Sequence, residues 1–284
     1  MTSQSTAFHG EETIINPACR SLSIPQHTLP ALGEKLTKEG PHRVEETPRR
    51  IRGRHGGEWL FDTTKAIYVW ENPFYPFFYI PKSEFASGVV LEKVDPSTDK
   101  NYWVARLSVA GKFVTEDVLV FESLGKLKEV VKISVPAIDW YGEDEKLLGS
   151  HPRDPYKRVE IFPSSREIRI EVNGHVIAQS RQNMFLYETA LRPRYYIDPT
   201  FVNWGFLTES ETISYCPYKG GANYYNIVVG DKTIKDAVWY YEYPRHESQL
   251  IAGRLCFYNE KVEVFIDGFK EPYNPNGTPL SGEA

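Results

Sequence analysis

A chain of 284 residues, 41% hydrophobic and 25% charged, is globular and long enough for two domains or one large one. Its formal net charge of −5 argues against non-specific nucleic-acid binding, which needs a positive surface to displace counterions. No long apolar run and no apolar leader occur, so neither a membrane partner nor export is expected.

In chain order, residues 1–42 lack a clear hydrophobic period and are expected to form an N-terminal arm. The basic run "PRRIRGRH" at 48–55 reads as a solvated strand and linker. Then the chain repeats itself. Residues 50–85 lie over 167–202 at a constant offset, which matches Gly57 with Gly174, Glu71 with Glu188, Pro76 with Pro193, Tyr79 with Tyr196 and Ile80 with Ile197. The match resumes between 101–122 and 223–242, and again between 137–148 and 254–265. The expected organisation is the arm, a first domain at 43–155, a homologous second domain at 156–272 and a turn-rich tail at 273–284.

Each copy reads as all-β, two small antiparallel domains in tandem with few short helices. "EIRIEV" (167–172) alternates charged and apolar residues, the period of a half-buried strand, and Asn173-Gly174 tolerates the positive φ of a two-residue hairpin turn. Helix is expected only at 124–131 and 246–253. Eighteen tyrosines, 15 phenylalanines and 6 tryptophans favour sheet packing, or an aromatic-lined cavity.

The stretch "SYCPYKGGANYYNIVVG" (214–230) is the least ordinary. Its glycines allow close backbone paths, and Lys219 could act as a base or Schiff-base nucleophile, or bind a carboxylate or phosphate as a point charge. It could equally sit at the surface or pair with Glu188 or Glu242. Cys216 and Cys256 read as small buried hydrophobes. With Cys19 they cannot build a disulfide framework or a closed zinc site, so free thiols in the cytoplasm, no metal and no cofactor are expected.

The run "NGHVIAQS", "YYID", "YCPYKGGANYY", "AVWYYEYP" and "IAGRLCFYNEKVEVFIDG" resembles the DUF427 family, small β-domains also labelled nucleotidyltransferase-like. The resemblance spans about 50–270, and implies β-tent-like domains with any function in the second copy, because the first has "VDPSTD" (94–99) where the second has "CPYKGG". No phosphate-cradling loop opening a helix supports the nucleotidyltransferase label. The expected function is a small-molecule enzyme without redox cofactor, of isomerase, cyclase or lyase type. Its aromatic pocket would lie beside the second domain, with Lys219, Tyr224 and Glu242 catalytic. Tyr196, Tyr218, Tyr225, Trp239, Tyr241 and Glu188 would contact the substrate. The alternatives are a non-catalytic ligand-binding module and a protein-interaction scaffold.

Overall fold

The computed structural model describes residues 28–94 and 100–272. Helix α1 (Leu29–Glu39) precedes eleven strands of the first copy: β1 (Arg43–Glu46), β2 (Ile51–His55), β3 (Glu58–Thr63), β4 (Ile67–Trp70), β5 (Phe77–Pro81), β6 (Val89–Lys93), β7 (Tyr102–Val109), β8 (Lys112–Phe121), β9 (Val130–Ile133), β10 (Asp139–Gly142) and β11 (Glu145–Lys146). The second copy has β12 (Val159–Ser164), β13 (Ile168–Val172), β14 (His175–Ser180), β15 (Asn183–Glu188), β16 (Arg194–Ile197), β17 (Leu207–Cys216), β18 (Gly220–Val229), β19 (Lys232–Tyr240), β20 (Leu255–Phe257), β21 (Glu263–Ile266) and β22 (Phe269–Lys270).

The two copies have one topology. A seven-stranded sheet runs β1-β4-β5-β9-β8-β7-β6 in the first and β12-β15-β16-β20-β19-β18-β17 in the second. A four-stranded sheet runs β11-β10-β2-β3, matched by β22-β21-β13-β14. All pairings between these strands are antiparallel. Alternation drives the burial: in β13 Ile168, Ile170 and Val172 are buried while Arg169 and Glu171 are only partly covered. The inner faces of the two sheets close over one core per copy, around Ile51, Phe61, Phe78 and Trp140 in the first and Ile168, Phe185, Ile197 and Phe257 in the second. The Asn173-Gly174 turn has both φ values positive, at 49° and 78°, as the hairpin requires.

Register corrects the repeat. Tyr79 pairs with Lys132 where Tyr196 pairs with Cys256, and Ile51 pairs with Gly142 where Ile168 pairs with Ile266. So β9 answers to β20 and β10 to β21, and the expected match of 137–148 with 254–265 is out of step. Backbone bonds agree, since Leu147 N donates to Trp140 O at 2.8 Å and Glu271 N to Val264 O at 2.7 Å.

One other expectation fails. No helix forms at 124–131: Leu124 and Leu127 bridge a tight turn, and Val130 and Val131 open β9 inside the sheet, where β-branched side chains fit the pleat. The 246–253 stretch does contain a short 3-10 helix, His246–Ile251. Part of the N-terminal arm is draped over the first domain. Leu32 and Leu36 of α1 bury themselves on the outer face of the first large sheet, against Val69, Tyr79, Tyr102, Leu119 and Phe121. Cys19 and the 273–284 tail lie outside the described residues, as does most of "VDPSTD".

The segment joining the copies is held on both sides. Trp70 Nε1 donates to Asp154 Oδ2 at 2.9 Å, and Asp154 N donates to the Tyr218 hydroxyl at 2.8 Å. His151 stacks on Tyr75 with ring centroids 4.0 Å apart. Burial, outweighing its bond to the Pro152 carbonyl, lowers the His151 pKa to about 4. Gly149 has φ +99°, and a Cβ there would come within 3.1 Å of Pro217 Cδ.

Candidate functional site

The outer face of the second large sheet carries an aromatic cluster of Tyr196, Tyr218, Tyr224, Trp239, Tyr241 and Tyr258, with both Cys216 and Cys256. Successive residues of a strand point to opposite faces, so Tyr224 joins this cluster while its neighbour Tyr225 packs towards the inner core and stacks on Tyr240. Tyr225, expected to contact a substrate here, is therefore on the wrong side of β18. Partial burial and a bond to Tyr240 push its phenol up to about 12.

Lys219 enters from the turn joining β17 to β18. Gly220 has φ +105°, and a Cβ there would lie 3.4 Å from the Tyr243 carbonyl oxygen, so this close approach favours glycine. Arg245 N donates to Lys219 O at 3.0 Å and fastens the turn. The Lys219 ammonium, only 5% exposed, donates to Glu188 Oε2 at 2.5 Å. Its partner is thus Glu188 and not Glu242, which is exposed and bonds to the side chain of neighbouring Tyr243. Glu242 is not brought to this site.

A small chamber lies over the pair, lined by Glu188, Leu191, Arg192, Arg194, Tyr196, Lys219 and Trp239. Its free volume is about 20 Å³, little more than the roughly 10–15 Å³ that one water needs. Arg194 forks onto Glu260 with two bonds of 3.0 and 3.1 Å. Arg192 reaches Glu260 at 3.5 Å and Glu271 at 3.3 Å, yet its buried Nε has no partner. Burial alone would push the Glu260 carboxyl up, but the bonds and charge of Arg194, then Arg192, outweigh it and hold the group below its ordinary range. The Arg194 guanidinium also sits 5.3 Å from the Trp239 ring centre.

Tyr196 is the informative hydroxyl. It accepts a bond from Trp239 Nε1 at 3.2 Å, and among the described residues no acceptor takes its own proton. Burial holds this phenol well above its ordinary range, so it stays a donor. Tyr224 does not line the chamber. Its hydroxyl meets Ser214 Oγ at 2.6 Å and Tyr258, in a chain behind the wall. Tyr218 is committed to Asp154, and Tyr241 lies deeper in the cluster. Of the residues expected from sequence, the structure gathers Lys219, Glu188, Tyr196 and Trp239 at one chamber.

Sequence reasoning missed Arg192, Arg194, Glu260 and Glu271. The aligned copies carried a signal for the arginines, because "LRPRYYI" (191–197) stands against "FYPFFYI" (74–80). Where the second copy has Arg192 and Arg194 the first has Tyr75 and Phe77, so charge is gained beside a buried strand. Among the described residues no group of three His, Cys, Asp or Glu side chains is gathered for a metal, and no helix is long and apolar enough to cross a membrane. No curated protein matches the chain. The model of a domain of unknown function, DUF427, matches residues 43–117 and 160–268, once over each copy. With more than half its length so matched, the chain belongs to the DUF427 family as a tandem member.

Proposed function

We propose that the second domain is a small-molecule enzyme that moves protons, with the Glu188, Lys219 and Tyr196 chamber as its site. One observation carries this reading. In the first copy the matching trio is closed: Tyr79 donates to Glu71 at 3.1 Å and Lys132 donates to the same carboxylate. In the second copy the tyrosine proton is left over, beside a buried carboxylate and ammonium. A left-over donor aimed at developing negative charge is what stabilises an enolate-like oxygen.

The chemistry balances without electron transfer. Glu188 accepts a proton from the carbon next to a substrate carbonyl, while Tyr196, backed by the Lys219 charge, donates one to the carbonyl oxygen. Return of the proton to a different atom gives isomerisation, attack of the enol carbon on an electrophilic carbon of the same molecule closes a ring, and departure of a β-substituent gives elimination. Trp239 supplies an apolar wall, and its indole N–H occupies a lone pair of the Tyr196 hydroxyl.

Tightness supports a second reading, a ligand-binding module without catalysis, since a site this small serves recognition of a head group as well as turnover. Incubation of the protein with a mixture of small metabolites in D2O separates the two. The enzyme reading expects deuterium at carbon in one or a few compounds, slowed roughly 100-fold or more in Tyr196→Phe. Compounds that bind while none gains deuterium would leave the binding module standing.

A further inference from the structure

We infer that the ligand of this chamber is a carboxylate, held by its head group between Arg192, Tyr196 and Lys219 while the rest of the molecule lies outside. The inference rests on the chamber being the functional site. Three cations line it against one carboxylate, Glu188. Glu260 and Glu271 stand behind the arginines and occupy parts of their forks, so they orient them without occupying the free space.

The donor count is in surplus. Arg192 is 9% exposed, and its Nε–H is buried with no acceptor. The Tyr196 O–H likewise has none among the described residues. A buried N–H or O–H left unmade is costly, on the order of 1–3 kcal/mol each. An ionised carboxylate brings two acceptor oxygens and no proton, which suits a lining with more donors than acceptors. The volume is that of a small head group, about 20 Å³. In the first copy Tyr75 and Phe77 stand at the positions of Arg192 and Arg194, so a carboxylate would find no guanidinium there.

Acetate is the minimal probe, with acetamide as its neutral isostere and chloride as the ionic-strength control. The expected result is a saturable rise in melting temperature with acetate beyond that with chloride, absent with acetamide. Its apparent Kd should weaken roughly tenfold in Arg192→Gln, the loss of one charge-assisted contact. Arg254→Gln, at a surface pair with Asp198 3.5 Å away, should bind acetate as wild type does. If Arg192→Gln does not fold, Arg192→Lys keeps the charge without the Nε–H and should weaken binding in the same direction. Acetate acting no better than chloride, acetamide acting equally, or arginine variants binding as wild type each overturn the inference. Those outcomes leave the deuterium experiment unaffected, because a proton-moving enzyme can act on a neutral carbonyl compound. Carboxylate binding without exchange would sink the catalytic reading and keep this one.

Discussion

Glu71 and Glu188 stand at the same corner of the same sheet, each against a buried lysine, yet the lysines come from different places. Lys132 rises from β9, at the position that Cys256 holds in β20, whereas Lys219 descends from the β17–β18 turn. Two routes to one ion pair show that the sheet corner demands a cation for its carboxylate, and that the demand can be met from either side. What differs is the remainder. The first copy closes the trio with Tyr79 and covers it with α1. The second leaves Tyr196 a spare proton and surrounds it with arginines in place of Tyr75 and Phe77.

The harshest way to break the comparison is to strand the carboxylates. Lys132→Met and Lys219→Met should each cost about 3–5 kcal/mol, the penalty of a buried charge without its partner. Urea unfolding followed in each variant measures it. Replacing both members, as in Glu71→Leu with Lys132→Met, should recover most of the loss, and a single lysine variant that unfolds like wild type would show that its copy needs no pair.

The cover is tested next. Leu36 is fully buried under the first copy, so Leu36→Ala should lose about 2–5 kcal/mol through the cavity it leaves. Thermal unfolding should show the first domain weakened and the second unchanged, since α1 packs on the first large sheet. Equal weakening of both would mean that the copies unfold as one unit.

Acid sharpens the comparison at the junction. His151 sits between the copies with a folded pKa of about 4 against an ordinary value near 6.5. The unfolded chain therefore binds the proton first. Stability is complete above about pH 6.5, falls as pH drops from there to about 4, and levels off below, by on the order of 3 kcal/mol in total. Unfolding free energies measured across this window should lose the slope in His151→Gln. An unchanged slope would place the acid sensitivity in other groups.

The smallest effects separate the two tyrosines. Tyr79→Phe removes a donor from Glu71 and should cost roughly 1–2 kcal/mol. Tyr196→Phe removes a proton that no described residue accepts, but it also takes the acceptor from the buried Trp239 Nε1–H, so it should cost roughly 1 kcal/mol, whatever it does to activity. Chemical denaturation of both variants under one condition tests this, and a loss in Tyr196→Phe well above that in Tyr79→Phe would mean that the Tyr196 proton also has a structural partner.

Period-two alternation and the 117-residue repeat made the tandem β-domains legible, because glycine turns and buried strand positions recur together. The repeat slipped after β8. The second copy is longer there, and "LGKLKEVV" spaces its leucines and valines as a helix would, so β9 was mistaken and the closing strands were misaligned. At the site Lys219 was legible from its loop and Glu188 from its matched position. Tyr225 was misplaced because adjacent strand residues cannot share a face. Arg192 and Arg194 went unread because charges flanking a proline look like a solvated turn. Here three buried or half-buried groups, Asn259, Glu260 and Glu271, contributed by segments distant in sequence, take them inside.

The helix that covers the first copy has a counterpart in sequence. Residues 29–39 correspond, at the repeat's offset, to 146–156, and that stretch is stretched between the copies, with Trp70 on one side of Asp154 and Tyr218 on the other. A duplicated unit inherits the same length of chain before its first strand, but only the leading unit is free to fold it back as a roof. The trailing unit must spend it as a hinge pin. The outer face of the second large sheet is covered instead by later chain, with Ile251 of the short 3-10 helix buried in its aromatic cluster, so asymmetry between the copies arises from connectivity alone, before any substitution has given the second one a chemistry.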